Sequence, residues 1–310
     1  PQNPAWLDYF RYPARGEDLY AFEDGTVVLI GTGQYWGDQK VALKFLNFDG
    51  SFLNLEDTVE LEAGYYMDSR RYNDYLYVMT REWVEGQGPD GERYHTPLVR
   101  LYTVALDPNV AERVVDVQTF QGEGWLDAVL TAQPDGILLA LNTYQRANSP
   151  SSRRWHSDVH VLVPGEDGVP VLQGVAPLSG VVHDTFKMRY QGGVLTAISQ
   201  EVDWGSRRFT RNTKFENFRL GDSGFVPTGS LDLAPGETLF ATRFHGDTVY
   251  VVTFLFVDPL FAIDNSNPEA PVIAGELEVP GWSNYIEWVD DRLFAVGIEE
   301  QKLSVSIFDV

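Results

Sequence analysis

The sequence predicts an all-β fold, and within that class a β-propeller of four-stranded antiparallel blades. Apolar runs of strand length recur along the 310 residues with turn residues between them. Helical spacing of apolar residues is nowhere sustained beyond two turns. The same strand–turn–strand unit also returns with a mean spacing of about 53 residues, which is typical of propeller blades.

Six tight turns define this repeat. Their sequences are FEDG, YND, PDG, QGG, HGD and VDD, and the residues that follow them are Thr26, Tyr75, Ile137, Val194, Thr248 and Arg292. Asn, Asp and Gly tolerate the positive φ that two-residue hairpins require. The successive spacings are 49, 62, 57, 54 and 44 residues, so the units are expected to differ mainly through insertions.

A third apolar run follows in each unit, and a fourth, such as PVIAGELEV at 271–279, completes the blade. We therefore expect about six blade units in residues 19–310, with the last one, ending in SVSIFDV, incomplete. An unfinished blade would leave unpaired edges. We expect the propeller to be truncated at its C-terminus and the full ring to have seven or eight blades. Alternatively, residues 1–18 supply a ring-closing strand, or they are a linker.

Composition excludes several partners. The chain has 45 acidic and 23 basic residues, a net charge of −22, which argues against nucleic acid and anionic lipid as general partners. No apolar stretch is long enough for a membrane helix, so no membrane insertion is expected. There are no cysteines, so neither disulfides nor thiolate metal sites are expected, and the compartment is left open.

Residues 233–288 contain four motifs in a fixed order: LAPGE, RFHGDTVYVVTF, DPLFAID and GELEVPG. Through these motifs, residues from about 60 to 310 resemble a bacterial family of secreted proteins with a C-terminal β-propeller domain distantly related to WD40 repeats. The resemblance implies a secreted or cell-envelope location, extracellular or periplasmic, and a full propeller. It carries over no catalytic residue.

The connections between second and third strands are long and share an unusual composition. They span residues 31–39, 80–97, 142–157 and 199–214, and they hold 9 of the 23 basic residues in 59 positions. Each of them also contains a tryptophan. The candidate ligand-binding residues are Trp36, Arg81, Trp83, Arg153, Arg154, Trp155, Trp204, Arg207 and Arg208.

Tryptophan with arginine is a pairing favoured at binding hot spots, and long loops on rigid scaffolds commonly carry function. Tryptophan faces suit sugar rings, and arginine suits anions. These residues therefore predict a loop face that binds a protein, a glycan or an anionic ligand. In the alternative interpretation, the arginines pair with nearby glutamates and the tryptophans pin the hairpins to the body.

A possible metal site lies in His156, Asp158 and His160, which alternate along one strand and so share a face. Two imidazoles and a carboxylate suit Zn²⁺ or another transition metal. The outer two lie about 13 Å apart on an extended strand, so two of the three with a distant His95 or His183 would be a better set. The alternative is a run of surface polar residues.

Asp127 and Asp184 each lie ten residues before their repeat marker, and His183 adjoins the second. Both carboxylates are expected near the axial opening, where they could hold Ca²⁺ or act as acid and base. The alternative is a pair of solvated carboxylates that line the channel.

Taken together, these features predict a secreted or cell-envelope binding module with no required cofactor. Two alternatives remain open. One is an enzyme, a hydrolase or lyase acting on an extracellular polymer through Asp127, His183 and Asp184. The other is a structural subunit of an extracellular assembly, in which the missing C-terminal blades or another chain complete the ring.

Overall fold

The fold is described by a computed structural model. The described residues are 6–12, 14–33, 40–62, 64–87, 93–121, 127–146, 153–204, 209–254, 258–279, 282–299 and 301–309. Among these residues the secondary structure is 23 strands and one short 3₁₀ helix, without any α-helix. The predicted all-β class is confirmed.

Residues before position 122 form two blades of four strands. The first blade contains β1 (Ala14–Ala21), β2 (Thr26–Gly33), β3 (Val41–Phe48) and β4 (Leu53–Glu60). The second blade contains β5 (Tyr65–Tyr72), β6 (Tyr75–Gln87), β7 (Arg93–Ala105) and β8 (Val114–Gln121). In both blades each strand pairs antiparallel with the next one in sequence, so the sheets are simple meanders.

Four more blades follow. The third contains β9 (Asp127–Gln133), β10 (Gly136–Arg146), β11 (Arg153–Pro164) and β12 (Pro170–Pro177). In the fourth, the 3₁₀ helix Thr185–Lys187 precedes β13 (Met188–Gln191), β14 (Val194–Trp204), β15 (Phe209–Gly221) and β16 (Gly224–Leu233). The fifth contains β17 (Thr238–His245), β18 (Thr248–Phe254), β19 (Asp258–Asp264) and β20 (Val272–Val279). The sixth contains three strands, β21 (Trp282–Val289), β22 (Arg292–Glu299) and β23 (Lys302–Phe308).

The repeat predicted from the turns is confirmed strand by strand. Five of the six second strands begin at their marker residue, and the sixth, β10, begins one residue before Ile137. The turns also have the expected backbone: φ is 52° at Asn73, 54° at Gly246 and 60° at Asp291. Strand β1 begins at Ala14, so part of the segment 1–18 already belongs to the first blade.

The chain divides into two compact units. One contains Pro1–Gly122 with Glu166–Val169, and the other contains Glu123–Gly165 with Pro170–Val310. The first unit therefore holds blades one and two, and the second unit holds blades three to six apart from the Glu166–Val169 turn.

Each hydrophobic core is shared by two consecutive blades. In the first unit, Phe45 of the first blade packs in one cluster with Leu76 and Tyr102 of the second. In the second unit, three further clusters join blades three and four, four and five, and five and six. Burying an aliphatic or aromatic side chain contributes about 1.5–3 kcal/mol, so face-to-face packing of neighbouring blades is the main stabilising interaction.

Bulges recur at fixed places in the blades. Four of the first strands, β1, β5, β17 and β21, contain an unpaired residue eight or nine positions before the second strand begins: Glu17, Met67, Phe240 and Asn284. The fourth strand of each of the first five blades also contains a bulge. A bulge increases the local twist of a strand, and here it does so at equivalent positions in successive sheets.

Candidate functional site

The long connections predicted as loops are largely strands. In the second blade, pairing of β5 with β6 ends at Tyr65 and Arg81, whereas β6 and β7 continue to pair as far as Gln87 and Arg93. The second and third strands of blades three and four extend in the same way. We call these two-stranded extensions ribbons. The prediction that these connections are long loops was wrong at the described residues, because backbone pairing continues beyond the four-stranded part of each sheet.

The ribbons of blades three and four are joined edge to edge. The backbone of Arg154 in β11 pairs with that of Asp203 in β14. An isolated bridge joins Val181 and Gln200, with both N–O distances 2.9 Å. The two blades thereby form one sheet of eight strands. This junction holds the two ribbons at a defined separation on one end of the second unit.

Several basic residues of the ribbons are paired with acidic ones. Arg93 lies 3.1 Å from Glu85 across the second-blade ribbon. Lys214 lies 3.9 Å from Glu201 and also contacts Asp232. For these positions the structure agrees with internal charge pairing, the alternative that the sequence left open.

The predicted loop-face residues are only partly within the described structure. Trp36, Arg207 and Arg208 lie outside the described residues, as do the side chains of Arg153, Arg154 and Trp204. Trp83 is 40% exposed, and its neighbour Val84 is equally exposed. Arg81 and Trp155 are half-buried.

The second candidate site, Asp127, His183 and Asp184, lies at the start of the first strands of blades three and four. Asp127 is the exposed first residue of β9. Asp184 caps the 3₁₀ helix: one carboxylate oxygen accepts from the Phe186 amide at 2.9 Å, and the other lies 3.0 Å from Lys187 Nζ. Both Asp184 oxygens are therefore engaged within the fold.

The pKa of His183 is influenced by the nearby charges of Asp184, Lys187 and Asp127. Desolvation lowers its pKa, the neighbouring charge of Asp184 opposes that decrease, and Lys187 adds to it. Asp127 acts more weakly in the same sense as Asp184. The side chain is exposed at the surface of the fourth blade.

Lys187 is the residue of this group that sequence reasoning missed. Its side chain is 2% exposed, and Nζ donates to the carbonyl of Phe240 at 2.7 Å. Phe240 is the bulge residue of β17, so the lysine links the fourth blade to the fifth. A lysine between two apolar residues has no sequence signal that distinguishes it from a surface lysine.

The possible metal ligands lie together on β11, as predicted from their alternation. His156 Nε2 is 3.8 Å from the Asp158 carboxylate, and His160 Nδ1 is 3.3 Å from the Asp158 carbonyl. Burial lowers the pKa of His160. Within the described part of the chain, no group of three His, Cys, Asp or Glu side chains is placed to hold a metal ion. A metal site on this strand stays a prediction.

A buried polar cluster in the first unit was also missed. Ser69 of β5 donates to Asp18 of β1 at 2.8 Å, and its hydroxyl lies 2.8 Å from those of Tyr20 and Tyr66. Burial is the largest cause that raises the pKa of Tyr20 to about 12. The cluster joins the first strands of blades one and two by hydrogen bonds, and both tyrosines stay protonated at neutral pH.

Comparison with known sequences agrees with the architecture. The sequence model of a family described as a β-propeller domain matches residues 131–310. An uncharacterized protein of Methanocaldococcus jannaschii is 36% identical over 137 residues, which are 43% of this chain and 21% of the relative. An uncharacterized protein of Archaeoglobus fulgidus is 45% identical over 140 residues, 44% of this chain and 21% of the relative. The match thus spans about a fifth of the length of each curated relative.

A solved structure from a study of two prolyl endopeptidases has a TM-score of 0.50 and 13% identity, covering 96% of this chain and 40% of that chain. At this identity the similarity shows the fold alone. The expected propeller architecture is confirmed. Both relatives named above come from archaea, whereas the resemblance in the sequence was to bacterial proteins, and secretion and kinship to WD40 repeats stay predictions. No helix among the described residues is long and apolar enough to cross a membrane.

Proposed function

Because the chain belongs to the family of β-propeller domains, we propose that it acts as a binding module and that the second-blade ribbon forms its recognition surface. The partner is a protein that contacts this ribbon. In this proposal the exposed apolar side chains of the ribbon provide the anchor.

The exposure of the second-blade ribbon is the observation that carries the proposal. Beyond Arg81, β6 pairs on one side alone within the described residues, so the ribbon has little core of its own. Isolated two-stranded hairpins are marginally stable in water. Yet this ribbon presents Trp83 and Val84, which point to opposite faces and are each 40% exposed. Tryptophan is enriched among the residues that contribute most to protein interfaces.

Catalysis by the second candidate site, Asp127, His183 and Asp184, is less well supported. A general acid or base needs a carboxylate that is accessible to substrate. Asp184 instead caps the 3₁₀ helix and pairs with Lys187. An extracellular polymer-acting enzyme would therefore have to rely on Asp127 and His183 without their expected third partner.

The location of the module is part of the proposal. A secreted or cell-envelope site follows from the family resemblance, and an acidic surface of net charge −22 suits a soluble binding domain. Fractionation of source cells, with detection of the chain in the medium or envelope rather than the cytoplasm, would test it.

Site-specific photo-crosslinking tests the recognition surface. A photoreactive residue replaces Val84 on the ribbon or, as the control, Val226 on β16, which is 52% exposed. Incubated with proteins of the source cells, the Val84 probe should yield a discrete crosslinked species, and the Val226 probe should not. Adding Trp83→Ala should reduce the yield about tenfold or more, because hot-spot truncations cost 2 kcal/mol or more. Equal labelling from both positions, or labelling unaffected by Trp83→Ala, would contradict the proposal.

A further inference from the structure

A cavity of about 390 Å³ lies between the first strands of blades three, four and five, all within the second unit. It is at the end of these strands where β9 turns into β10. The ribbons extend from the other end, where Asp127 pairs with Asn142. Its size falls in the lower part of the range for small-molecule sites. Its lining includes Gln133, Phe186, Arg189, Tyr190, Arg243 and Phe244.

The repeat places a charged residue at one equivalent position in three successive blades. Five residues before the second strand begins, the fourth blade has Arg189, the fifth has Arg243 and the sixth has Glu287. Arg243 forms an ion pair with Glu287 of the following blade. By the same geometry Arg189 would pair with the next blade, but the residue there is Arg243. The repeat thus leaves Arg189 without the carboxylate that its equivalent has.

The contacts of Arg189 agree with this reasoning. Among the described residues its only hydrogen bond runs from Nη1 to the carbonyl of Gly246, and no carboxylate lies within ion-pair distance. Its guanidinium lies 4.9 Å from the centre of the Phe244 ring. Burial lowers the pKa of Arg189. The negative charge of Asp247, which lies beyond ion-pair distance, opposes that decrease. The charge is partly dehydrated without a direct counter-ion.

Three other polar side chains of the cavity are already engaged within the fold. Gln133 donates to the Met188 carbonyl at 2.7 Å and accepts from the Tyr190 amide at 2.8 Å. Thr242 donates to the Phe186 carbonyl at 2.6 Å. Asp135, the carboxylate that lines the cavity, accepts from the Gly192 amide at 2.9 Å. Because Arg243 is paired with Glu287, Arg189 is the cation of the described lining that is best placed to bind an anionic ligand.

The rest of the lining is suited to an apolar ring. Phe186 is 45% exposed, Phe244 also lines the cavity, and the buried Tyr190 forms part of its wall. Aromatic rings pack favourably edge to face or offset. An arginine fork beside aromatic walls matches a planar carboxylate attached to an aromatic body.

We propose that this cavity binds a small aromatic monocarboxylate, with the carboxylate on Arg189 and the ring between Phe186 and Phe244. Nothing in this site depends on the ribbons, so it is a second site, independent of the recognition surface proposed above.

The test compares two probes of nearly the same shape, N-acetyl-L-phenylalanine and N-acetyl-L-phenylalanine amide, by isothermal titration calorimetry with the full chain. The acid should bind about tenfold or more tightly than the amide, the difference expected for a charge-assisted hydrogen bond. Arg189→Gln should abolish this preference. Arg189→Lys, which keeps the charge and loses the fork, should retain part of it.

Arg71→Gln is the matched control. Arg71 also stacks on a ring, 4.7 Å from the centre of Phe22, and lines a cavity of about 450 Å³ in the first unit. That cavity is lined by three carboxylates, Asp24, Asp74 and Asp107, where the proposed site has Asp135 alone among its described lining residues, and the larger negative charge would repel a carboxylate. The variant should bind the acid as the parent does, and an unchanged melting temperature shows that each variant is folded.

Three results would overturn the proposal: no binding of the acid up to millimolar concentration, equal affinity for acid and amide in the parent, or a preference that survives Arg189→Gln. None of these calorimetry results would test the recognition surface proposed for the ribbon. Crosslinking at Val84 could succeed or fail independently.

Discussion

Asn217 of the fourth blade and Asn265 of the fifth form a buried amide pair, with Asn217 Nδ2 donating to Asn265 Oδ1 at 2.7 Å. Asn217 also accepts from the Thr196 hydroxyl at 2.7 Å and donates to the Pro268 carbonyl at 3.0 Å. Both asparagines are less than 5% exposed. The amides thus add buried polar contacts to a joint between blades four and five that also has an apolar core.

Asn217→Ala should therefore be strongly destabilising. The change removes the donor to Asn265 Oδ1 and the acceptor of the Thr196 hydroxyl, and the bond from Asn265 Nδ2 to Thr196 Oγ1 replaces neither. Each buried group left unsatisfied costs about 1–3 kcal/mol. We expect a loss of about 2–4 kcal/mol in the free energy of unfolding, measured by urea denaturation. Asn54→Ala, at an exposed site with a single bond to Asp49, is the control and should change stability by less than about 0.5 kcal/mol. Equal losses in the free energy of unfolding for the two variants would contradict a stabilising role of this hydrogen-bond network.

Lys187→Met should destabilise the contact between blades four and five. It removes the donor to the Phe240 carbonyl and the partner of Asp184. Because the methionine fills most of the space, the expected loss is that of the polar contacts, about 1–3 kcal/mol. Lys302→Met at an exposed position is the control for loss of a positive charge. The urea midpoint should fall for the first variant and stay within error for the second; a shared decrease would show that charge, not the contact, is responsible.

Gly180→Ala should open the bridge between blades three and four. A Cβ at Gly180 would lie 2.4 Å from the Gln200 carbonyl carbon and 2.5 Å from the Glu201 amide nitrogen, so backbone has to move. We expect a loss of about 1–3 kcal/mol and faster hydrogen exchange at the amides of Val181 and Gln200.

Gly221→Ala is the control for this substitution, because its nearest atom would be 3.6 Å away. Exchange at Val181 and Gln200 should be the same in this control as in the parent. If Gly180→Ala leaves that exchange unchanged, the close approach of the two backbones is not what holds the bridge.

Asp57 should contribute stability that depends on pH. Its hydrogen bond from Arg113 holds the pKa of the carboxyl below its usual range, so the folded state favours the charged form. The contribution is present above the unfolded pKa of about 3.9 and is lost as pH falls through the folded value. Asp57→Asn should be about 0.5–1 kcal/mol less stable than the parent at pH 7, a small figure because the carboxylate is 45% exposed. Urea titrations should show this difference shrinking below pH 4; a constant difference would exclude the linkage.

The features of the candidate sites that depend on spacing along the chain were predicted from the sequence, whereas the contacts of individual side chains were not. The alternation of His156, Asp158 and His160 predicted a shared strand face, and they occupy one. The repeat register placed Asp127 and Asp184 at equivalent positions, and both act electrostatically on His183. The sequence did not indicate that Asp184 would be used as a cap for the 3₁₀ helix, because the same residue also suits a solvated site.

Strand length in the ribbons was misjudged for a related reason. Polar and charged residues in 80–97 and 199–214 have a loop-like composition, yet backbone pairing continues as far as Gln87 with Arg93 in the first range and Trp204 with Phe209 in the second. A two-stranded ribbon has no core-facing side, so its residues need not alternate between apolar and polar. Periodicity therefore underestimates its length.

By itself the sequence determined the all-β class, the six repeats, the start of nearly every second strand and the turn chemistry at residues such as Asn73 and Gly246. These depend on alternation and on φ preferences, which act over a few residues. Tertiary structure alone decided which groups meet between blades: Lys187 with Phe240, Asn217 with Asn265, and Arg189 with an aromatic cavity in place of a carboxylate. Such contacts join residues about 50 positions apart in the chain, and their geometry depends on the packing of whole sheets, which no local pattern encodes.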